Sequence, residues 1–129
     1  MRDPKTAEEW FRRAKSNLAK AKIEPSDEIL YEDLCFDIQQ AAEKALKSLC
    51  VDEEIIFPKT HDIAFLLDLL ENNGVSIPEK IQPARMLTEY AVETRYPGYY
   101  EPVEKKEYED MLSIAEKVVE WVGEELDRA

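Results

Sequence analysis

Apolar residues recur every three or four positions along most of this chain, and prolines and glycines stand between the stretches in which they do. This spacing is typical of α-helices that bury one face. It predicts five helices, at residues 6–22, 29–51, 62–73, 78–95 and 103–126. No stretch alternates apolar and polar residues for long enough to predict a β-strand. The sequence therefore predicts an all-α fold.

The lengths of these helices and of their connections predict how they pack. Four helices are long, the one at residues 62–73 is short, and the connections between them are short. Short connections favour antiparallel neighbours, so we expect an antiparallel up-and-down bundle of four long helices plus one short helix. The second helix has the widest apolar stripe and should pack on two sides. The whole chain, residues 1–129, is expected to form a single helical domain.

Local signals mark the helix ends. Thr6, with Glu9 three residues later, predicts a capping box at the first helix. Thr60 is the expected N-cap of the short helix, and Gly74 is its expected C-terminal stop. Pro83 either kinks the fourth helix or marks the start of its regular part.

The charge is strongly negative overall but unevenly spread. Asp and Glu outnumber Lys and Arg by 29 to 17, a net charge of −12 that disfavours generic binding to nucleic acid. Residues 1–22 are nevertheless basic, with a net charge of +4, and residues 101–129 are acidic, with a net charge of −6. Either the two end helices lie near each other and offset charge, or the first helix offers a basic face to a partner.

Composition also indicates where the protein works. No apolar run reaches the roughly 18 residues needed to span a bilayer, and the first residues lack the apolar stretch of a signal peptide. We therefore expect a cytoplasmic protein that has no contact with membranes. Cys35 and Cys50 would lie about 22 Å apart on one helix, too far for a disulfide. The charged fraction of 36% and the scarce side-chain amides favour a thermophilic source.

Several kinds of catalytic motif are missing from the sequence. It has no glycine-rich phosphate loop, no G-x-G-x-x-G and no C-x-x-C. Its one histidine cannot supply H-E-x-x-H or the paired E-x-x-H motifs of di-iron bundles. We therefore expect neither a cofactor nor a metal ion.

Polar residues form two rows along the second helix. Asp37, Gln40, Lys44 and Lys47 follow one stripe, and Gln39, Glu43 and Lys47 form a neighbouring row. One interpretation is a solvated face with local side-chain pairs. The other is an interface, because adjacent glutamines are unusual in this chain and amides cost less to bury than charges.

Two short stretches offer groups that could bind a phosphate. In "PKTHD", His61 and Lys59 would stand beside the free N–H groups of a helix start. In "TRYPGYYEP", Arg95 could meet a phosphate while Tyr96 or Tyr99 stacks on a base. The alternatives are a capped helix end and a helix stop whose tyrosines cover the core. If both stretches share one pocket, the nucleotide-binding residues are Arg95, Tyr96, Tyr99, His61, Lys59, Lys44 and Gln40.

Three segments together resemble the HEPN family, a name that stands for "higher eukaryotes and prokaryotes nucleotide-binding". They are "FDIQQAAEKALKSLC", "PKTHDIAFLLDLL" and "YAVETRYPGYY", in that order. The resemblance implies the helical bundle and usually a homodimer. It also implies a partner, because small prokaryotic HEPN proteins are commonly paired with a minimal nucleotidyltransferase, and many such pairs resemble toxin–antitoxin systems.

The resemblance also suggests an activity, since HEPN ribonucleases use an arginine, four to six further residues and then a histidine. After Arg95 the first such position holds Tyr100, and His61 lies elsewhere in the sequence. We therefore expect a nucleotide-binding partner of a minimal nucleotidyltransferase rather than an enzyme. The alternatives are a metal-independent RNase toxin that uses Arg95 with His61 or Tyr100, and a helical dimer scaffold that retains no site.

Overall fold

The computed structural model describes residues 6–88 and 103–128, which form four α-helices and one 3₁₀ helix. In chain order these are α1 (Ala7–Ala21), α2 (Tyr31–Asp52), α3 (Ile63–Asn72), the 3₁₀ helix (Glu79–Thr88) and α4 (Lys105–Leu126). No β-strand occurs in the two described ranges, and no helix in them is long and apolar enough to cross a membrane. The prediction of an all-α fold is confirmed.

The second helix, α2, lies at the centre of the bundle and contacts every other helix. It runs antiparallel to α1, because Lys20 near the end of α1 pairs with Asp37 near the start of α2. The buried apolar side chains of α2 are Leu34, Cys35, Ile38, Ala41, Ala42, Ala45, Leu46, Leu49 and Cys50. Burying one Leu or Ile side chain stabilises a fold by roughly 1.5–3 kcal/mol. The prediction that this helix packs on two sides is confirmed.

The first and last helices are also antiparallel neighbours. Near the end of α1, the carbonyl oxygen of Ala21 accepts a hydrogen bond from the hydroxyl of Tyr108, near the start of α4. At the opposite ends of these helices, Phe11 lies so close to Gly123 that a Cβ added there would come within 3.1 Å of the ring. The predicted antiparallel bundle is therefore confirmed.

The basic start and the acidic end of the chain do lie near each other. Lys22 Nζ at the end of α1 is 3.1 Å from Glu116 Oε2 on α4. Two further cations of α1 are paired within that helix, because Arg12 and Arg13 both contact Glu9, at 2.7 and 3.1 Å. This arrangement agrees with end helices that offset each other's charge.

The N-cap residue agrees with the sequence at α1 and differs at α3. At α1, Thr6 is the N-cap as predicted, because its Oγ1 accepts a hydrogen bond from the backbone N–H of Glu9 at 3.3 Å. The other half of the predicted capping box differs, since the carboxylate of Glu9 contacts Arg12 and Arg13.

At α3 the N-cap is Asp62, whose carboxylate accepts from the N–H of Phe65 at 3.2 Å. The prediction that Thr60 is the N-cap was wrong. Its hydroxyl accepts instead from the N–H of Asp62, at 3.0 Å.

The fourth predicted helix has a 3₁₀ conformation in its described part. Pro83 lies inside the 3₁₀ helix rather than at its start. Proline lacks an N–H, and its ring clashes with the carbonyl four residues earlier in an α-helix, so α-helical geometry is disfavoured here. Residues 89–102 follow and lie outside the described part of the chain, so the predicted extent to residue 95 stays a prediction.

Polar contacts hold the 3₁₀ helix against α3. Arg85 Nη1 lies 2.8 Å from Asp68 Oδ1, and its Nη2 lies 3.1 Å from Glu71 Oε1. Thr88 Oγ1 accepts a hydrogen bond from the N–H of Ile63 at 2.8 Å. The end of the 3₁₀ helix is therefore fixed beside the start of α3.

The two cysteines form no disulfide, as predicted, and both are buried free thiols. Burial raises the pKa of Cys35 to about 12, and it does the same for Cys50. A thiol with so high a pKa is a poor nucleophile near neutral pH. Neither cysteine is therefore a candidate for the functional site.

Candidate functional site

A row of polar side chains runs along the buried side of α2. Gln39, Glu43 and Lys47 follow one another at intervals of four residues and are 0%, 2% and 6% exposed. Charged side chains are rarely this buried unless they are paired. For this row, the interpretation as a solvated face is therefore wrong.

Glu43 is the centre of a hydrogen-bond network that reaches the surface. Its Oε1 accepts from Gln39 Nε2 at 3.0 Å, and its Oε2 accepts from Lys47 Nζ at 2.8 Å. The same Oε1 lies 3.0 Å from Nδ1 of His61. Since an ionised carboxylate only accepts hydrogen bonds, the proton of this contact lies on Nδ1. The exposed Nε2 then accepts a hydrogen bond when the ring is neutral and donates one, for example to a phosphate oxygen, when the ring is charged. The side chain of His61 is 74% exposed, so the ring is accessible to a ligand.

The ammonium group of Lys47 is held between a carboxylate and two aromatic rings. Its Nζ lies 5.4 Å from the ring centroid of Trp10 on α1 and 5.8 Å from that of Phe57. The two rings meet edge to face, with centroids 6.2 Å apart. Cation–π attraction and the contact with Glu43 together offset the loss of water around this charge.

A groove of about 480 Å³ lies beside these rings, between α1 and the segment that follows α2. Its lining residues are Trp10, Lys47, Val51, Glu54, Ile55, Ile56, Phe57, Pro58 and Lys59. The walls are mostly apolar, and their exposed charged residues are Lys59 and Glu54. Lys47, the third charged residue of the lining, is paired with Glu43. Cavities of this size and character are typical of sites for small ligands.

Hydrogen bonds link two of the predicted site residues, Gln40 and His61. Gln40 Nε2 donates to Gln39 Oε1 at 2.8 Å, and Gln39 Nε2 donates to the carbonyl oxygen of His61 at 3.0 Å. Lys59, two residues before His61, lines the groove. The structure therefore brings Gln40, Lys59 and His61 into one region of the surface.

Sequence and fold together assign the family. A family model described as the HEPN domain matches residues 7–126, a range that includes every described helix. The chain belongs to the HEPN family.

Two solved structures are similar to this HEPN chain over nearly its whole length. One is described as TT1696 from Thermus thermophilus, with 33% identity and a TM-score of 0.76 over 92% of this chain and 96% of that one. The other is described as ST0689, an archaeal HEPN homologue, with 30% identity and a TM-score of 0.72 over 94% of this chain and 98% of that one. Among curated proteins, none matches this chain. These likenesses support the family and the fold.

Lys44, another predicted site residue, is turned towards α1 in this HEPN bundle. Its Nζ donates to Asn17 Oδ1 at 2.9 Å, and Asn17 Nδ2 donates to Asp37 Oδ1 at 3.1 Å. Burial lowers the pKa of Lys44. Lys44 thus belongs to a second polar network, which joins α1 to α2.

The remaining predicted site residues lie outside the described residues. Arg95, Tyr96, Tyr99 and Tyr100 all fall in residues 89–102. Their place in a shared pocket with His61 stays a prediction. The first described range ends at Thr88, whose hydroxyl accepts a hydrogen bond from the N–H of Ile63, the first residue of α3.

The start of α3 offers less to an anion than its sequence suggests. The N–H of Ile63 donates a hydrogen bond to Thr88 Oγ1, and the N–H of Phe65 donates one to Asp62 Oδ1. The carboxylate of Asp62 also places negative charge at this helix end. Side chains such as Lys59 and His61, rather than the helix end, are therefore the groups suited to a phosphate.

Sequence reasoning missed the groove and the central role of Glu43. Within residues 6–88 and 103–128, no group of three or more His, Cys, Asp or Glu side chains could hold a metal ion. The described groups that could hold a ligand are instead cations and rings, namely Lys59, His61, Trp10 and Phe57. The four-residue spacing of Gln39, Glu43 and Lys47 was the one available signal. Nothing in the sequence places Trp10 beside Phe57.

Proposed function

We propose that this HEPN protein binds a nucleotide and works as the interaction partner of a minimal nucleotidyltransferase in a toxin–antitoxin-like pair. The observation that carries the proposal is the contact between His61 and Glu43. A buried carboxylate fixes the orientation of an imidazole that is 74% exposed. A surface ring held in this way is suited to bind a ligand at little further cost in conformational entropy.

The chemistry beside His61 suits a phosphate group. Lys59 is exposed and forms no ion pair with any residue that the structure describes. Gln40 adds an amide, which is oriented by Gln39. In a chain whose net charge is −12, an anionic ligand needs such a local cation. We propose that Arg95 adds a second cation from the adjoining segment.

We further propose that the protein is a homodimer, as is common among HEPN domains. Two large apolar side chains on neighbouring helices support this, because Phe65 on α3 is 41% exposed and Met86 on the 3₁₀ helix is 47% exposed. Covering such residues would stabilise a dimer through the hydrophobic effect. Light scattering after size-exclusion chromatography measures the mass directly, and a single-chain mass at all concentrations would contradict the dimer.

Calorimetric titration with ATP, GTP and short RNAs tests the binding proposal. We expect a dissociation constant in the millimolar range or below, and a loss of affinity in Lys59→Ala, His61→Ala and Arg95→Ala. Lys106→Ala is the matched control, since that lysine is 85% exposed on α4. The absence of any heat at millimolar nucleotide, or equal binding by all variants, would refute the proposal.

Co-purification tests the partner. We expect the protein to elute together with a minimal nucleotidyltransferase encoded beside it when both are expressed in one cell. Separate elution at micromolar concentration would contradict this part of the proposal and leave nucleotide binding standing.

The second candidate function is a metal-independent RNase, and the same contact favours it. A histidine whose Nδ1 proton is held by a carboxylate presents Nε2 as a base, and an arginine such as Arg95 could steady the phosphate. RNA cleavage in the presence of EDTA, abolished by His61→Ala, would favour the enzyme. Growth arrest on expression, relieved by Arg95→Ala, would do the same. If neither RNA cleavage nor nucleotide binding is observed, the remaining alternative is a helical dimer scaffold that retains no site.

A further inference from the structure

We propose that the groove beside Trp10 and Phe57 holds the base of the nucleotide while Lys59 and His61 hold its phosphate. This inference rests on the proposed function and adds a base-binding subsite to it. The site is formed by the start of α1, the end of α2 and the segment that joins α2 to α3.

The groove has the size and the surface that a nucleobase needs. At about 480 Å³ it falls within the range of ligand pockets. Trp10 and Phe57 offer aromatic surface, and Val51, Ile55 and Pro58 add further apolar lining. Stacking on aromatic side chains binds bases with little regard to their identity. The groove therefore suits a purine or pyrimidine ring better than a charged metabolite.

Glu43 links the groove to the imidazole of His61. Lys47 in the groove wall contacts Oε2 of Glu43, and His61 contacts Oε1 of the same carboxylate. A single carboxylate thus separates the groove from the imidazole. Lys59 belongs to the groove lining and lies two residues from His61. A base in the groove would leave its phosphate within reach of both side chains.

One exposed apolar side chain at the groove is costly in the free protein. The segment begins at Glu54, whose φ of +57° belongs to the C-terminal cap of α2, where the N–H of Ile55 donates to the carbonyl oxygen of Cys50 at 2.8 Å. In the same segment, Ile56 is 94% exposed. Glu54 and Ile56 belong to the segment that forms one wall of the groove. A ring lying against Ile56 would cover an apolar side chain that now faces water.

The covalent link between base and phosphate makes the two halves of the site cooperate. A base beside Trp10 and Phe57 would hold the linked phosphate close to Lys59 and His61, so the second contact forms within one complex. We therefore expect a nucleotide to bind more tightly than its base and phosphate parts bind separately.

Tryptophan fluorescence provides a direct test. The chain has two tryptophans, Trp10 in the groove and Trp121, which is 5% exposed on α4 and does not line it. In the Trp121→Phe variant, Trp10 is the only reporter. We expect adenosine and AMP to change its emission, and AMP to bind at least about tenfold more tightly than adenosine. Inorganic phosphate should compete with AMP without changing the emission.

Variants at the groove separate this inference from the proposed function. Ile56→Ser should weaken AMP and adenosine several-fold and leave folding intact, because that side chain is 94% exposed. Leu30→Ser, at a residue 51% exposed elsewhere, is the matched control. Phe57→Ala should lower the affinity for AMP about tenfold or more, the loss expected for one stacking contact.

The outcomes are distinct. AMP binding that needs Lys59 and His61 but leaves Trp10 emission and the Ile56→Ser variant unchanged would overturn the base subsite and leave the proposed function intact. Equal affinity for adenosine and AMP would overturn the assignment of the phosphate to Lys59 and His61. No binding of AMP at millimolar concentration would overturn the base subsite, and the further absence of binding by ATP, GTP and short RNAs would overturn the proposed function as well.

Discussion

His61 and Glu43 form a hydrogen-bonded pair in which one side chain is 74% exposed and the other is 3% exposed. The orientation of a surface imidazole is therefore set from inside the bundle. Glu43 is in turn held by Lys47 and Gln39 on the same helix. A change at Glu43 should consequently appear both in the stability of the fold and in the chemistry of the surface.

The first prediction concerns Glu43→Ala. The substitution leaves the ammonium of Lys47 buried without a counter-charge, and removing one partner of a buried ion pair costs about 3–5 kcal/mol of unfolding free energy. Urea denaturation measures this loss. Removing both charges in Glu43→Ala/Lys47→Met should cost less than Glu43→Ala alone.

An exposed ion pair provides the control for this prediction. Glu116 contacts Lys22 at 3.1 Å, with the two side chains 44% and 49% exposed. Glu116→Ala should cost at most about 1 kcal/mol. If the two single substitutions cost the same, the buried network does not stabilise the bundle in the way its geometry indicates.

The second prediction distinguishes the two residues that could cap α3. Asp62→Ala removes the acceptor for the N–H of Phe65 and should cost about 1 kcal/mol. Thr60→Ala removes only a contact outside the helix and should cost less. Thermal denaturation of the two variants side by side measures the difference. The reverse order would make Thr60 the cap after all.

The third prediction tests the strain at the end of α2. Glu54→Gly relieves a φ of +57° and should stabilise the fold by about 0.5–1 kcal/mol, after allowing for the extra freedom of glycine in the unfolded chain. Gly74→Ala is the converse substitution, because it adds a side chain at a residue with φ of +91°. No atom lies within 4 Å of the added Cβ, so the substitution causes no steric clash. It should destabilise by about 1 kcal/mol through backbone strain alone. A loss of stability in Glu54→Gly, measured by urea denaturation, would show that position 54 is not strained.

The fourth prediction concerns high pH. Burial raises the pKa of Cys35 and of Cys50 from 9.0 to about 12, so the folded thiols keep protons that the unfolded chain loses. The stability that these thiols contribute is complete below pH 9.0 and is lost as the pH rises towards about 12. The slope is at most about 1.4 kcal/mol per pH unit for each thiol.

Denaturation at a series of alkaline pH values measures this slope. The control is Cys35→Ala/Cys50→Ala, which should show a flatter dependence on pH. Some slope should remain in it, because burial also raises the pKa of Tyr108. An equal slope in the two proteins would mean that the thiols ionise in the folded state.

The helices could be predicted because their signals are local. The period of apolar residues and the cap at Thr6 depend on neighbours in sequence, and α1 and α4 were located to within one or two residues. The cap of α3 could not be settled in this way. Thr60 and Asp62 are both good N-cap residues, and the hydrogen bond from Ile63 to Thr88 comes from a distant part of the chain.

The candidate site was harder to predict because it depends on burial. Lys47 and Glu43 are charged, and charged side chains are normally expected in water. Their burial requires Trp10 from one helix and Phe57 from a later segment. Spacing along α2 identified the row, but only the packing of three separated segments shows which side of the helix is closed.

The approach of Phe11 to Gly123 has a practical consequence for experiments on this protein. It places residue 6, before α1, and residue 128, after α4, at the same end of the bundle. A short linker could join them in a circular permutant, with new termini opened between α1 and α2, at little cost in loop entropy.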